Sequence, residues 1–189
     1  MSIETIEIMS NARIQAGFSF LDLPPHENAP PRRMRDREPS DMLTRKGKYG
    51  LKALVHLARV PPGELALVGD IAAANNIPKK FLDAILGELR NAGFVSSRKG
   101  KGGGYRLAQA PEIIRIGDVI RTLDGPLAPI ACASRTRYER CDDCDEETCR
   151  VRHVMLEVRE AIAGVLDKRN LAEMRDMTGT EGLVLLEQA

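Results

Sequence analysis

Apolar positions after residue 42 recur at the spacing of helices in several separate segments. The first three helices predicted in this way cover residues 45–59, 69–75 and 78–92. Thr44 suits the N-cap of the first helix, because its hydroxyl can accept from amides that have no partner within the helix. Pro78 suits the first turn of the third helix, and Gly93 suits its end. The predicted core face of the third helix consists of Phe81, Leu82, Ile85, Leu86 and Leu89.

A two-stranded hairpin is predicted directly after the third helix. Residues 94–98 and 105–108 have the character of strands, and the tip between them is rich in glycine, which permits positive φ. The order of helix, helix, turn, helix and hairpin is that of a winged helix-turn-helix. In this motif the second helix of the pair enters the major groove of DNA. The pattern therefore predicts a DNA-binding domain over residues 42–108.

The chain after this domain predicts further helices separated by a long loop. The predicted elements are a helix at 116–123, a loop at about 129–148, a longer helix at 149–167 and a short segment at 171–174. Apolar side chains on the longer helix form a seam that suits packing against another helix. They are Val151, Val154, Met155, Val158, Ile162 and Val165. The predicted fold class is mainly α with a small β-hairpin, in which a winged helix-turn-helix precedes a long C-terminal helix.

The two ends of the chain lack this patterning. Residues 1–41 contain a proline-rich stretch and a charged run, which predicts a disordered leader. Residues 179–189 form a tail without a clear signal. Residues 109–178 form a second region, with a linker helix, the cysteine-bearing loop and the long helix.

Charge is distributed very unevenly along the chain. The net charge of the whole sequence is only +1, yet residues 42–108 carry twelve Lys and Arg against four Asp and Glu, a net of +8. Residues 109–189 carry eleven against sixteen, a net of −5. A basic block of this kind is typical of a surface that meets a polyanion. Together with the motif, it predicts double-stranded DNA as the partner.

The candidate DNA contacts lie on three elements of the basic block. The start of the third helix offers base contacts, the wing offers contacts to phosphates, and the start of the first helix offers further phosphate contacts. The residues are Lys79, Lys80 and Asp83 on the third helix, Arg98, Lys99 and Lys101 on the wing, and Arg45, Lys46, Lys48 and Tyr49 on the first helix.

Four cysteines occur within eighteen residues, as Cys132-x8-Cys141-x2-Cys144-x4-Cys149. The chain has no apolar stretch near the ~18 residues of a membrane helix and no secretory pattern at its start, which predicts a cytoplasmic protein without a membrane partner. Because cytoplasmic thiols are kept reduced, the cluster suggests a metal or redox site. Four thiolates suit an iron–sulfur cluster, [2Fe-2S] or [4Fe-4S], and zinc is the second alternative. A thiol redox switch is the third.

Functions other than DNA binding suit the same residues less well. Redox catalysis by Cys141-x2-Cys144 would need a strand before the motif and an α/β setting, and neither is predicted. A phosphate-binding loop would need a helix directly after the glycines, where residues 105–107 have strand character instead. We therefore expect no enzyme. A winged-helix adaptor that binds another protein is the remaining rival, and the net charge of +8 argues against it.

The sequence resembles the Rrf family of winged-helix regulators, the group that contains IscR, NsrR, RirA and CymR. The segment GKGGGYRL at residues 100–107 is the most specific part of the match, and IPKKFL at 77–82 supports it. Further matching segments are residues 43–51, 71–72, 116–120 and 123–127, so that the resemblance covers residues 42 to about 174.

The resemblance implies a homodimer joined through the long helix, a palindromic operator and often an iron–sulfur cluster as the sensor. The long helix would then be a dimerisation helix, and the function a homodimeric repressor that senses iron, cluster status, nitric oxide or redox state. Members with a cluster carry three cysteines on the loop and a fourth ligand from elsewhere. This chain has four cysteines, and Cys141 and Cys144 compete for the middle position. A four-cysteine site within one chain is an alternative, with His153 as a spare ligand.

Overall fold

Residues 43–177 are described by a computed structural model, so the predicted leader and tail, and Met42, lie outside the described residues. The elements are α1 (Arg45–Leu57), α2 (Val68–Asn75), α3 (Lys79–Asn91), β1 (Val95–Arg98), β2 (Gly104–Leu107), α4 (Ile116–Leu123), α5 (Arg150–Leu166) and α6 (Leu171–Asp176). A short 3-10 turn, Ala131–Ala133, lies between α4 and α5. The predicted fold class, mainly α with one hairpin, is confirmed. Among the described helices none is long and apolar enough to span a bilayer.

The first helix begins where its cap was predicted. The Thr44 hydroxyl accepts from the amides of Lys46 (3.1 Å) and Gly47 (3.3 Å), which satisfies two donors of the first turn. The helix ends at Leu57, two residues before the predicted end, and the chain turns before Pro61. The turn between α2 and α3 uses Asn76 in the left-handed region (φ 52°), which asparagine tolerates better than most residues.

One hydrophobic core joins the helices of the winged motif to the elements that follow. The side chains of Leu54, Ile71, Leu82, Ile85, Leu86 and Leu89 are inaccessible to solvent. Val119 of α4 and Leu171 of α6 belong to the same cluster. Since burial of apolar surface is the main favourable term in folding, α4 and α6 are held to the winged motif by the same interaction that holds its own helices together.

The core position predicted for Phe81 is wrong. Its side chain is 41% exposed, whereas the other four apolar positions predicted for α3 are buried. Those four residues form a stripe with spacings of three and four, and Phe81 lies roughly 90° around the helix from the centre of that stripe. Its ring packs instead against Tyr49 of α1, edge to face, with the centroids 5.8 Å apart.

The hairpin is short and is supported from one side by the chain before α2. Its antiparallel register pairs Val95 with Leu107 and Arg98 with Gly104. Ala66 and Tyr105 exchange backbone hydrogen bonds at 2.9 Å, so Ala66 acts as a minimal third strand. Gly104 has φ 157° and lies so close to this segment that a Cβ would overlap the Ala66 carbonyl. The hairpin is thereby fixed to the helical body.

Helix α4 is attached to α1 by a carboxylate. Asp124, the C-cap of α4, accepts from the Thr44 amide (3.0 Å) and from the Thr44 hydroxyl. Its charge thus lies at the N-terminus of α1, where free amides favour an anion. Gly47 makes room for it, because a Cβ there would overlap the carboxylate. Gly50, one turn on, gives the same close approach to Leu123.

A second carboxylate attaches α5 to α4 in the same way. Asp167, the C-cap of α5, accepts two hydrogen bonds from the Arg121 guanidinium, at 2.7 and 2.8 Å. A Cβ at Gly117 of α4 would overlap this carboxylate. Bidentate pairs of arginine and carboxylate combine charge with fixed geometry. Helix α4 is therefore fixed to α1 through Asp124 and to α5 through Asp167.

We predict that Asp167→Asn destabilises the protein by about 1 kcal/mol at neutral pH, because it removes a charge-assisted pair that is only partly buried. The Arg121 guanidinium lowers the pKa of Asp167. The contribution of ionised Asp167 to the free energy of unfolding is therefore fully present above the ordinary carboxyl pKa. It is lost as the pH falls through the lowered pKa. Urea unfolding at pH 7 and at pH 3 measures both effects. Asp118→Asn is the matched control, since Asp118 makes one bond of 3.2 Å to the same arginine and is 53% exposed. An equal loss in both variants would contradict the prediction.

Candidate nucleic-acid interface and cysteine loop

The start of α3 presents charged side chains to solvent. Lys79 and Lys80 occupy its first turn and Asp83 the next, and all three are exposed. No side chain caps this end of the helix, because Pro78 is the N-cap residue. These side chains have the exposure that base contacts require.

The outward face of α3 is lined by small residues beyond Lys80. Ala84 is exposed, and a Cβ at Gly87 would meet nothing within 4 Å. An α-helix with its side chains is about as wide as the major groove of B-DNA. Small side chains on the outward face therefore let the backbone of this helix approach the floor of a groove.

A shallow groove separates α3 from the wing and contains several of the predicted contacts. Lys79 and Asp83 line one side, and Arg98 and Lys99 line the other. Lys101 is exposed at the glycine-rich tip. Arg90 also lines the groove, and the sequence analysis missed it because it lies three turns along α3 from the motif's usual contacts. The structure thus brings two of the α3 candidates and two of the wing candidates to one groove.

The candidates on α1 differ from one another in their surroundings. Arg45 and Lys48 are exposed. The Lys46 ammonium is paired with Glu88 of α3 at 3.0 Å and is only partly exposed. Tyr49 is half-buried with its ring against Phe81. Arg45 and Lys48 have no ion-pair partner within residues 43–177 and are exposed as phosphate contacts require, whereas Lys46 and Tyr49 also connect α1 to α3.

The four cysteines lie in one connected cluster between α4 and α5. Cys132 is buried in the 3-10 turn, and the other three are half-buried. The ligand atoms of Cys141 and Cys144 lie within 4.8 Å of each other, and the pKa of the Cys144 thiol responds to both Cys141 and Cys149, as the pKa of Cys132 does to Cys141. The predicted ligands are thus neighbours in the fold as well as in the sequence.

An acidic side chain joins the cluster. The Cys141 sulfur donates to Asp143 at 2.8 Å, and the ligand atoms of Cys141, Asp143 and Cys144 lie within 4.8 Å of one another. Sequence reasoning missed Asp143, because it is one of six acidic residues in this loop and nothing in the spacing distinguishes it. His153 is exposed on the first turn of α5 and is not part of this group.

The thiols differ in acidity. Hydrogen bonds with Cys141 and Cys149 raise the pKa of the Cys144 thiol to about 12. Burial raises the pKa of Cys132, and the neighbouring Cys141 adds to the effect. The pKa of Cys149 is lowered, because its sulfur is the N-cap of α5 and accepts from the Arg152 amide at 3.4 Å. Of these three thiols, Cys149 ionises most readily.

Charged side chains hold the cysteine loop in place. Glu146 accepts from the Tyr138 hydroxyl (2.7 Å) and from the Cys141 amide (3.1 Å), and the hydroxyl lowers the pKa of this carboxyl. The Arg152 Nε donates to the Cys132 carbonyl at 3.1 Å. Arg159, two turns along α5, donates to the Ala133 carbonyl at 2.8 Å. These hydrogen bonds attach the loop to one face of α5.

A different face of α5 is apolar and has no partner among residues 43–177. Val151, Val154, Val158 and Val165 are 63%, 51%, 37% and 62% exposed, and Met155 and Ile162 are half-buried beside them. No residue of α5 is fully buried. A valine stripe along a helix exposes apolar surface that packing against another helix would cover.

Comparison with known proteins identifies a family over most of the chain. The family described as Rrf2, iron-dependent transcriptional regulator, matches residues 43–176. A relative from Rhodobacter capsulatus, named as an HTH-type rrf2-like transcriptional regulator, is 43% identical over 137 residues, which are 70% of this chain and 91% of the relative.

Two solved structures from other bacteria share the fold. CymR of B. subtilis, described as the global cysteine regulator, superposes with a TM-score of 0.59 at 32% identity, over 71% of this chain and 96% of that one. IscR of T. potens superposes with a TM-score of 0.56 at 28% identity, over 74% of this chain and 94% of that one.

Proposed function

The chain belongs to the Rrf2 family of transcriptional regulators, and from this premise we propose that it is a sequence-specific homodimeric repressor whose cysteine loop binds an iron–sulfur cluster. Its relatives are transcriptional regulators and not enzymes, as the sequence analysis expected. The observation that carries the proposal is the groove that Lys79 and Asp83 of α3 form with Arg98 and Lys99 of the wing. In this proposal residues 42–108 bind DNA, and residues 109–178 sense the signal and form the dimer.

We propose that α3 enters the major groove and that the wing follows the adjacent phosphates. Lys80, at the centre of the outward face, is the candidate for guanine, and Asp83 is the candidate for cytosine N4. Arg98, Lys99 and Lys101 are the candidates for phosphate contacts from the wing, and Arg45 and Lys48 from α1. Lys46 would have to leave Glu88 to join them, so we assign it a smaller part.

The valine face of α5 is the proposed dimer interface. Its exposure in the single chain and its spacings of three, four and seven residues support a helix-to-helix contact with a second copy. A dimer with two-fold symmetry would then carry two α3 helices. For both to read DNA they must lie about one turn of the duplex apart, roughly 34 Å.

The donor set of the loop fits an iron–sulfur cluster. Four cysteines are neighbours between α4 and the start of α5, with the ligand atoms of Cys141 and Cys144 within 4.8 Å of each other, and thiolates are the ligands that such clusters use. Cys132, Cys141, Cys144 and Cys149 would hold it, and it would supply sensitivity to iron, oxidants and nitric oxide. The family is described as iron-dependent, which supports this choice over zinc. Zinc in the same four-cysteine site is the second candidate, because tetrahedral thiolate sites also bind it.

Transmission from the loop to DNA is proposed to run through α5 and α4. Arg152 and Arg159 connect the loop to α5, and the Asp167–Arg121 pair connects α5 to α4. The Asp124–Thr44 contact then connects α4 to the N-terminus of α1. A change in loop structure would thus alter the angle between the two DNA-binding heads and shift the population of dimers that fit the operator.

For DNA binding, we predict that Lys80→Ala weakens operator binding more than random-DNA binding, by about 1–3 kcal/mol of discrimination. Lys101→Ala should weaken both DNAs similarly and reduce the salt slope by about one unit. Gly87→Glu should abolish binding, because it adds a negative side chain to the outward face in open space. Gly87→Ala is its folding control. Fluorescence anisotropy at several salt concentrations measures all four variants, and operator binding by Gly87→Glu at wild-type strength would contradict the assignment of α3.

For assembly, we predict that Val158→Glu gives monomers, because it places a charge in the centre of the valine face. Sedimentation velocity measures the change, and operator affinity should fall with it. Gly164→Glu is the matched control: it adds the same charge to another face of α5, at a position with open space. An unchanged dimer in Val158→Glu would mean that another surface joins the two copies.

For the cysteine loop, we predict that anaerobically purified protein contains iron and acid-labile sulfide and absorbs visible light, and that Cys141→Ala, Cys144→Ala loses all three. Operator affinity should differ between loaded and chelator-treated protein. Asp142→Asn, an exposed change in the same loop, is the control. Zinc in place of iron and sulfide would favour the second candidate. Equal affinity of all samples would show that the loop does not regulate binding.

A further inference from the structure

Phe81 is a large apolar side chain in an unexpected place. It lies between Lys80 and the buried Leu82 in the first turn of α3, and 41% of it is exposed. It does not belong to the hydrophobic core or to the half-buried residues that pack on that core. An exposed ring gives up part of the stabilisation that burial would provide. Folding of the chain therefore does not account for its position.

The Phe81 ring is held in one orientation by Tyr49. The two rings meet edge to face, with centroids 5.8 Å apart and planes at 83°. Tyr49 itself is half-buried and packs against the core, so it forms a firm support. Aromatic pairs of this geometry add about 0.5–1.5 kcal/mol beyond the area they bury. The exposed edge of Phe81 is thus presented outward from a fixed position, next to Lys80.

The surroundings of this edge match one feature of DNA. In the major groove the bases present donors, acceptors and a single apolar group, the C5-methyl of thymine. Phe81 is the aromatic side chain beside the lysines of α3, and the small residues Ala84 and Gly87 let that helix approach the bases.

We infer that Phe81 is a specificity-determining residue that contacts a thymine methyl group and selects a T·A pair at the edge of each half-site. This inference rests on the proposed DNA-binding function. Lys80 and Asp83 would read hydrogen-bonding groups in the centre of the helix footprint. Phe81, on the flank toward α1, would read the methyl group beside them.

The test removes the methyl group and the ring independently. An operator is first selected from a random DNA pool with the wild-type protein. Each thymine of one half-site is then replaced in turn by deoxyuridine, which lacks only the methyl group. We expect one thymine at which the wild-type protein loses about fourfold in affinity, the effect of one buried methyl-sized group. Phe81→Ala should bind the thymine operator about equally weakly and should show no further loss with deoxyuridine there.

Two controls keep the outcome interpretable. Lys80→Ala should retain the deoxyuridine effect, because its own contact is to a different group. Phe81→His keeps a ring against Tyr49 and replaces the apolar edge by a polar one, so it should also lose the deoxyuridine effect even if Phe81→Ala folds poorly. Thermal unfolding of each variant checks the fold.

The inference is overturned if no thymine shows a deoxyuridine effect, or if the effect persists in both Phe81 variants. In either case the wild-type protein still binds its selected operator, so the proposed function stands. If the wild-type protein selects no operator and does not bind DNA, the proposed function fails and this inference fails with it.

Discussion

The hydrogen bonds between Asp124 and Thr44 fix the arrangement on which the rest of the structure depends. Asp124 ends α4, and by the dipole of its own helix a negative charge there is unfavourable. The charge is stabilised because it lies at the N-terminus of α1, where Thr44 donates both its amide and its hydroxyl. Thr44 in turn accepts from the next amides of α1. One carboxylate therefore completes the cap of a helix that is eighty residues away in sequence.

Asp167 repeats this construction one helix later, with Arg121 as the donor. As a result, α4 is a short rigid connector between the winged motif and α5. The basic surface and the cysteine loop lie at opposite ends of this connection. Its contacts are polar and geometrically demanding, so they fix the relative direction of the helices more closely than the apolar core alone would. If DNA binding is to respond to the cysteine loop, the loop and the DNA-binding domain need such a connection.

Much of the fold was predictable because local signals and the hydrophobic pattern agreed. Thr44, Asn76 and Gly93 mark turns and caps by their own chemistry, and the stripe from Leu82 to Leu89 identifies a buried helix face. Helix ends shifted by one or two residues, since capping geometry and not periodicity decides them. The core position predicted for Phe81 was wrong because the sequence pattern does not distinguish an apolar residue beside a buried stripe from one within it. Its exposure depends on how wide the buried face is, which only the packing of α1 determines.

The residue types of the candidate site were predictable from the sequence, but the contacts between its side chains were not. Exposed lysines and a cysteine cluster follow from residue types and spacing. The ion pair of Lys46 with Glu88, the place of Asp143 beside Cys141 and the route through Asp124 all join residues by contacts that no spacing specifies.

The glycines opposite the two carboxylates have an evolutionary consequence. A larger residue at Gly47 or Gly117 would displace the opposing carboxylate from its hydrogen-bond donors, and replacement of the aspartate would leave those donors without their acceptor. We therefore expect the glycine and the aspartate of each pair to be kept together or replaced together in related sequences.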